Sequence, residues 1–91
     1  MAAKFEPGVM VATAGALQTI LRVGKAPDEY ITRHVAGDWG DLTDADKEEN
    51  ERALEQGTRL LSAYHLPDGT KIWIITEADR SSTTVLLPEE Y

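Results

Sequence analysis

The chain has 91 residues and a mass of 10.0 kDa, which bounds it to one domain, residues 1–91. Hydrophobic residues make up 42% of it, enough for a modest packed core and too many for a disordered chain. There is no cysteine, and 9 basic against 16 acidic residues leave a net charge of −7; a disulfide scaffold, a Cys-ligated zinc site and a thiol nucleophile are excluded, and nucleic acid and anionic lipid are poor direct partners.

The amino terminus has one base, Lys4, then Glu6 and Pro7. A secretory signal needs a basic start followed by an apolar run, and this is neither. The stretch from Val9 to Leu21 is interrupted by Thr13, Gly15, Gln18 and Thr19, and it is too short to span a bilayer. A soluble, cytoplasmic protein with no membrane partner is expected.

Charge is segregated along the chain. Between Pro7 and Pro27 there is no acid, while Arg22 and Lys25 add two positive charges. From Asp38 to Glu55, eight acids face two bases, a net of −6. Nearly all the excess negative charge therefore sits in one short segment.

In chain order, Gly8 to Ala12 reads as a short strand. Thr13 is placed to cap a helix running to Val23, because its hydroxyl can accept from a free first-turn amide. Leu17, Ile20 and Leu21 have i, i+3, i+4 spacing and predict its buried stripe. Pro27 opens a second helix, with Asp28 and Glu29 at its positive end. Tyr30, Ile31, His34 and Val35 share one face, and Gly37 stops it. Thr43 caps a third helix, Asp44 to Gln56, with Asp46 at the third position. Glu48–Arg52 and Glu55–Arg59 have the spacing of stabilising pairs. Its apolar residues are few: Ala45, Ala53 and Leu54, with Leu42 just before. A thin buried stripe and a broad acidic outer face follow.

The last third reads as β. Leu60 to Leu66 and Lys71 to Glu77 flank Pro67-Asp68-Gly69-Thr70, a strong hairpin signal. Asp79 to Ser82 turns into a third strand, Thr83 to Leu87, ended by Pro88. The expected fold is α+β: about three helices packed on one face of a three-stranded antiparallel meander, with an extra short strand at the N-terminus. A two-residue loop at Asp68-Gly69 sets Tyr64 opposite Trp73, Ser62 opposite Ile75 and Leu60 opposite Glu77. Leu61, Ala63, Ile72, Ile74 and Thr76 then meet the helices, and Tyr64 with Trp73 forms an exposed aromatic pair that offers a dimer surface.

Two constellations could carry chemistry. His34, Asp38 and Asp41 have side chains that bind metals, but a loop with the sequence Gly-Asp-Trp-Gly between them gives a weak pattern, and no metal is expected. His34 is then a packed helix residue and Asp38 a loop bracket. Trp39, between two glycines, is either a plug at the core edge or an interface anchor. The second constellation is the turn from Thr76 to Thr84. With His34 as general base, Arg80 on a phosphate and the Thr83 hydroxyl positioning it, the turn would make a phosphodiester-cleaving site. Asp, Ser and Thr there are equally what turns and strands use. No phosphate-binding loop, dinucleotide fingerprint, nucleophile elbow or zinc-protease helix is present, and no cofactor is expected. His65 reads as a surface residue.

Three stretches carry a resemblance: Arg33-His34 through Gly37-Asp38-Trp39-Gly40-Asp41-Leu42; Leu61-Ser62-Ala63-Tyr64; and Trp73 to Arg80 running on from Thr83 to Tyr91. They resemble a family of small bacterial proteins carried on plasmids, integrated elements and phages, labelled plasmid-related proteins or type I restriction endonuclease subunit M. The resemblance covers most of residues 5–91. A modification subunit needs a far larger cofactor-binding fold, so the restriction label is read as a neighbourhood artefact. A fainter likeness, in element order and His34 alone, is to the barnase–RelE ribonucleases.

The resemblance implies a protein of a mobile genetic element. Joined to the charge map, it implies a protein-binding module, an inhibitor of a host defence complex of the anti-restriction or anti-CRISPR type. Asp44, Asp46, Glu48, Glu49, Glu51 and Glu55, with Trp39, would dock on a partner with a basic surface. The alternatives are a small ribonuclease using His34, Arg80 and Thr83, and a structural accessory protein. Monomer and homodimer are both compatible with the sequence.

Overall fold

Three helices and a four-stranded sheet make up the computed structural model, which describes residues 3–91. The elements are β1 (Val9–Ala12), α1 (Ala14–Arg22), α2 (Pro27–Val35), α3 (Asp44–Gln56), β2 (Leu60–His65), β3 (Lys71–Thr76), β4 (Ser82–Leu86) and a short 3-10 turn, Pro88–Glu90. The radius of gyration is 12.3 Å, and a compact chain of this length should have about 12 Å.

The class is the expected α+β, but the sheet differs. It is mixed and four-stranded, in the order β1-β4-β3-β2, and not a three-stranded antiparallel meander. The meander forms β2 to β4, and β1 joins parallel to β4 with Val9 beside Ser82 and Ala12 beside Val85. Val9 N–H donates to Ser81 O at 3.0 Å, and Thr13 N–H to Val85 O at 2.9 Å. These partners are about 70 residues apart in sequence, so no local pattern encodes the pairing.

The hairpin register is one residue off the expected one, because the loop has three residues. Leu66 N–H donates to Thr70 O, and Gly69 N–H to Leu66 O, both at 2.8 Å. Gly69 has φ +89°, the left-handed residue that closes a three-residue hairpin loop. Leu60 therefore faces Thr76, Ser62 faces Ile74, and Tyr64 faces Ile72. The helix-facing half expected for β3 holds: Ile72, Ile74 and Thr76 are buried. For β2 the single-residue slip exchanges the faces. Leu60, Ser62 and Tyr64 turn to the helices, and Leu61 and Ala63 go to the other side. Tyr64 is buried, so the exposed Tyr64–Trp73 pair does not exist; Trp73 lies opposite Ala63, against Tyr91 at 5.9 Å.

Helix boundaries follow the capping signals. Thr13 accepts from Ala16 N–H at 3.1 Å, and Thr43 from Asp46 N–H at 3.2 Å. The buried stripe of α1 is Ala16 and Ile20, with Val23 packed beside them, and not Leu17 and Leu21, which are 37% and 57% exposed. The two stripes differ by 100° around the axis, and packing decides between them: Ala16 lets the helix lie close on β4. On α2, Tyr30, Ile31 and His34 are buried as their spacing predicted. The charge pairs expected on α3 do not form. Arg52 turns to Glu49 at 2.5 Å, and the helix ends at Gly57 before Arg59, which sits over the Tyr91 ring at 5.4 Å.

The outer edge of β2 is covered. Ala63 N–H donates to Trp39 O at 3.2 Å, and Asp41 N–H to Ala63 O at 2.7 Å. The Asn50 amide completes the edge, donating to Leu61 O at 2.7 Å and accepting from Leu61 N–H at 3.1 Å. Gly40 makes this approach possible. Its φ is +76°, and a β-carbon there would collide with Ala63 O and the Tyr64 ring.

Substituting Gly40→Ala is expected to destabilise the protein by about 3 kcal/mol or more, since backbone strain and collision add. Gly69→Ala meets open space and should cost only the strain, about 1–2 kcal/mol. Urea denaturation of the two variants checks the difference.

Candidate functional site

Helix α3 is seated by Asn50 and Ala53, with Leu42 and Leu54 partly buried against Trp39 and Leu60. The helix has 13 residues, and its other side chains face water. Asp44, Asp46, Glu48, Glu49, Glu51 and Glu55 are all exposed. Four of them, Asp44, Glu48, Glu51 and Glu55, recur at i, i+4, i+7 and i+11. That spacing puts them on one stripe opposite the buried side, about 16 Å from end to end.

Two of the six carboxylates are engaged within the chain. Glu51 accepts from Trp39 Nε1 at 2.7 Å and lies 3.7 Å from Lys4 Nζ, and Glu49 holds Arg52. For Asp44, Asp46, Glu48 and Glu55, no Lys or Arg nitrogen lies within 4 Å among the described residues. Like charges at i, i+4 repel by a few tenths of a kcal/mol, so the stripe stands at a small cost to the fold. Beside it, Leu42, Asp46, Glu49, Asn50, Arg59 and Leu61 line an open cleft of about 200 Å³. Leu42 and Leu61 supply an apolar wall and Asp46 and Glu49 an acidic rim.

Trp39 is not part of this surface. It is 4% exposed, stacks on Phe5 at 6.4 Å and meets His34 edge-on at 5.7 Å. With its N–H given to Glu51, it pins α3 to the sheet. Trp39 is the plug at the core edge and not an interface anchor.

Of the residues named for phosphodiester cleavage, His34 and Thr83 converge inside the protein, joined through Thr76, while Arg80 stays half-buried and bonds elsewhere. His34 has no exposed surface. Its Nε2 is 2.9 Å from Thr76 Oγ1 and its Nδ1 2.5 Å from Ser62 Oγ; Thr76 Oγ1 lies 2.7 Å from Thr83 Oγ1, which donates to Pro7 O at 2.7 Å. The directions follow by elimination. Pro7 O can only accept, so Thr83 spends its proton there. Thr76 must then donate to Thr83, His34 Nε2–H to Thr76, and Ser62 to the bare Nδ1. Every member is satisfied only with a neutral imidazole. Burial lowers the His34 pKa to about 4, with the Arg80 charge adding to the effect.

Arg80 is likewise committed. It sits at φ +60°, a conformation that non-glycine residues hold only when contacts fix it. Its guanidinium donates to the carbonyls of Thr58, Glu77, Ala78 and Ala53 at 2.7 to 3.2 Å. Ala53 O belongs to the last turn of α3, where no basic residue of the helix itself lies; Arg80 supplies the cation that this helix end favours.

The carboxylates beside His34 also point elsewhere. Asp38 takes Arg33 Nε at 2.7 Å and the Gly40 N–H at 3.2 Å, which holds its carboxyl below the usual range. Asp41 bonds His65 Nδ1 at 2.8 Å on the surface, and that bond lowers its pKa too. The Tyr64 hydroxyl donates to Asp38 O at 2.5 Å beneath Arg33, and burial pushes its pKa up to about 12. Asn50, Ser62 and Tyr64 are further polar anchors, and no local pattern marks Ser62 or Tyr64 as such. Asn50 carried a usable signal, a lone amide on the sparse apolar face of α3.

Comparison with known proteins finds no matching family model, no matching curated protein and no matching solved structure. No helix among the described residues is long and apolar enough to cross a membrane.

The buried imidazole makes stability depend on pH. The unfolded chain takes up this proton near pH 6.5 and the folded one only near 4. The His34 contribution is therefore complete above pH 6.5 and is lost as pH falls through that window, by about 3 kcal/mol in all at 1.4 kcal/mol per pKa unit. Urea midpoints for the wild type should fall steadily between pH 7 and pH 4.5. His34→Gln should be less stable at pH 7 and should lose most of that slope.

Proposed function

We propose that the chain is a protein-binding module of a mobile genetic element. In this reading it acts in the cytoplasm and docks α3 on the basic surface of a host defence complex, which it inhibits by occupying a nucleic-acid groove. One observation carries the reading: the Asp44–Glu48–Glu51–Glu55 stripe, exposed and mostly unneutralised, runs along a helix pinned at Glu51 and at its last turn. A row of fixed negative charges about 16 Å long spans roughly as far as five phosphates on one DNA strand. It would be complementary to a groove built for a nucleic-acid backbone. The adjoining cleft can take the apolar stem of a lysine or arginine whose head meets Asp46 or Glu49. The geometry offers less to a ribonuclease. A general base must reach its proton, and His34 is sealed from solvent with both ring nitrogens occupied.

The test uses a type I restriction complex and a CRISPR effector complex, each loaded with labelled DNA. Wild-type protein should displace the DNA from one of them, and less effectively as salt rises. The variant Asp44→Asn, Glu48→Gln, Glu55→Gln should need at least ten times the concentration. Its melting temperature should equal or slightly exceed the wild type's, because repulsion along the stripe is removed. Equal displacement by the variant, or none by either protein, overturns the reading. A parallel incubation with RNA, beside His34→Gln, should give no cleavage by either protein.

A further inference from the structure

The two edges of the sheet are treated differently. That of β2 is closed by the 39–41 segment and the Asn50 amide. That of β1 is open among the described residues, and its side chains are apolar: Val9, Met10 and Val11 are 67%, 56% and 47% exposed. Open, uncharged edges are what natural sheets avoid unless another strand is to be added. Because Val9 and Thr13 send their N–H groups to β4, strand alternation makes Val11 do the same. Met10 and Ala12 therefore present their N–H and C=O groups outward.

We propose that β1 is the interface of a homodimer, in which two copies of β1 pair antiparallel about a two-fold axis through Val11. In this register Met10 faces Ala12 of the second copy, and Ala12 faces its Met10. Each is a hydrogen-bonded pair that exchanges two bonds, so the two pairs give four. Val11 meets its own copy at the central, non-hydrogen-bonded position, where side chains approach most closely. The pairing is self-complementary, as a two-fold interface must be.

Charge selects a second copy as the occupant. A chain of net charge −7 repels itself, but β1 carries no charge of its own, and the acid held at its end is Glu90, on the hydroxyl of Thr13, two residues from the proposed axis at Val11. The acidic helix α3 flanks β2, at the opposite end of the sheet. Two copies joined at β1 form an eight-stranded sheet with the β2 edges about 34 Å apart, seven strand spacings of about 4.8 Å. Screening at physiological salt acts within about 8 Å, so the acidic helices do not oppose association. The dimer presents an acidic helix at each end. The inference does not depend on what α3 binds.

The absence of cysteine gives a clean experiment. Val11→Cys creates the chain's only thiol, at a position where the two α-carbons come close enough for a disulfide. Mild oxidation of Val11→Cys should cross-link it at least tenfold faster than Glu48→Cys, whose thiol lies on α3. Sedimentation of the wild type should give twice the 10.0 kDa chain mass as concentration rises into the high micromolar range. Met10→Pro removes one outward donor and leaves the β4 ladder intact, a place where an edge strand tolerates proline. It should shift dimerisation to at least tenfold higher concentration, and Val11→Lys, with like charges on the axis, should do the same. A wild type monomeric at 1 mM, a dimer indifferent to both substitutions, or equal cross-linking of the two cysteine variants overturns the proposal. So does a monomer whose edge instead binds an extended apolar peptide.

Discussion

One buried chain of hydrogen bonds ties the elements together. On the helix-facing side of the sheet Thr76 of β3 stands beside Thr83 of β4, and Ser62 of β2 lies diagonally across, two residues along from the partner of Thr76. His34 of α2 bridges Ser62 and Thr76, and Thr83 holds the Pro7 carbonyl that leads into β1. Four strands and a helix are thus linked by polar groups with no exposed surface on the side chains. Such a network favours a unique arrangement because any slip leaves a buried donor or acceptor unmade, at about 1–3 kcal/mol each. A shift of β2 by one residue would replace Ser62 with Leu61 or Ala63, neither able to meet the imidazole. The register that the turn sets is the register that the network requires.

A second constraint is how α3 is held. Its apolar surface is small, so burial alone would leave it loosely attached. Three polar contacts from elsewhere compensate: the Asn50 amide on the backbone of β2, the Trp39 indole on Glu51, and the Arg80 guanidinium at its last turn. None uses the outer stripe beyond Glu51. The helix is fixed from its inner side and its last turn, which leaves Asp44, Glu48 and Glu55 facing water. Rigid placement of charge lowers the ordering cost of docking, and this links the mode of attachment to the proposed use. The same economy governs the sheet edges: β2 is covered by the elements that seat α3, and β1, far from that acidic helix, is left open.

The structure changes the meaning of residues that attracted attention for their chemistry. His34 and Thr83 come together through Thr76, buried and turned inward, while the half-buried Arg80 is spent on backbone carbonyls. Type and proximity are shared by catalytic and structural networks; what separates them is access and spare hydrogen-bonding capacity. Trp39 makes the same point. Flanked by glycines in a loop, it reads as either anchor or plug, and its neighbours Phe5, Ala53 and Leu60 make it a plug.

The sequence by itself determined the elements and the charge. Thr13 and Thr43 marked helix starts, Pro27 the opening of α2, Gly37 its end, and Asp68-Gly69 the hairpin. These signals act within one turn of backbone, where capping, fixed φ and side-chain spacing are local physics. The −6 segment was equally legible, since charge is additive along the chain. The β2 register was a matter of loop length, three residues in place of two, and only the tertiary structure decided the rest: the parallel place of β1, the stripe that α1 buries, and the closure of His34 against solvent. Each depends on groups 20 to 80 residues apart meeting within a few ångströms. Nothing in a local window encodes which of two nearly equal faces the remainder of the chain will cover.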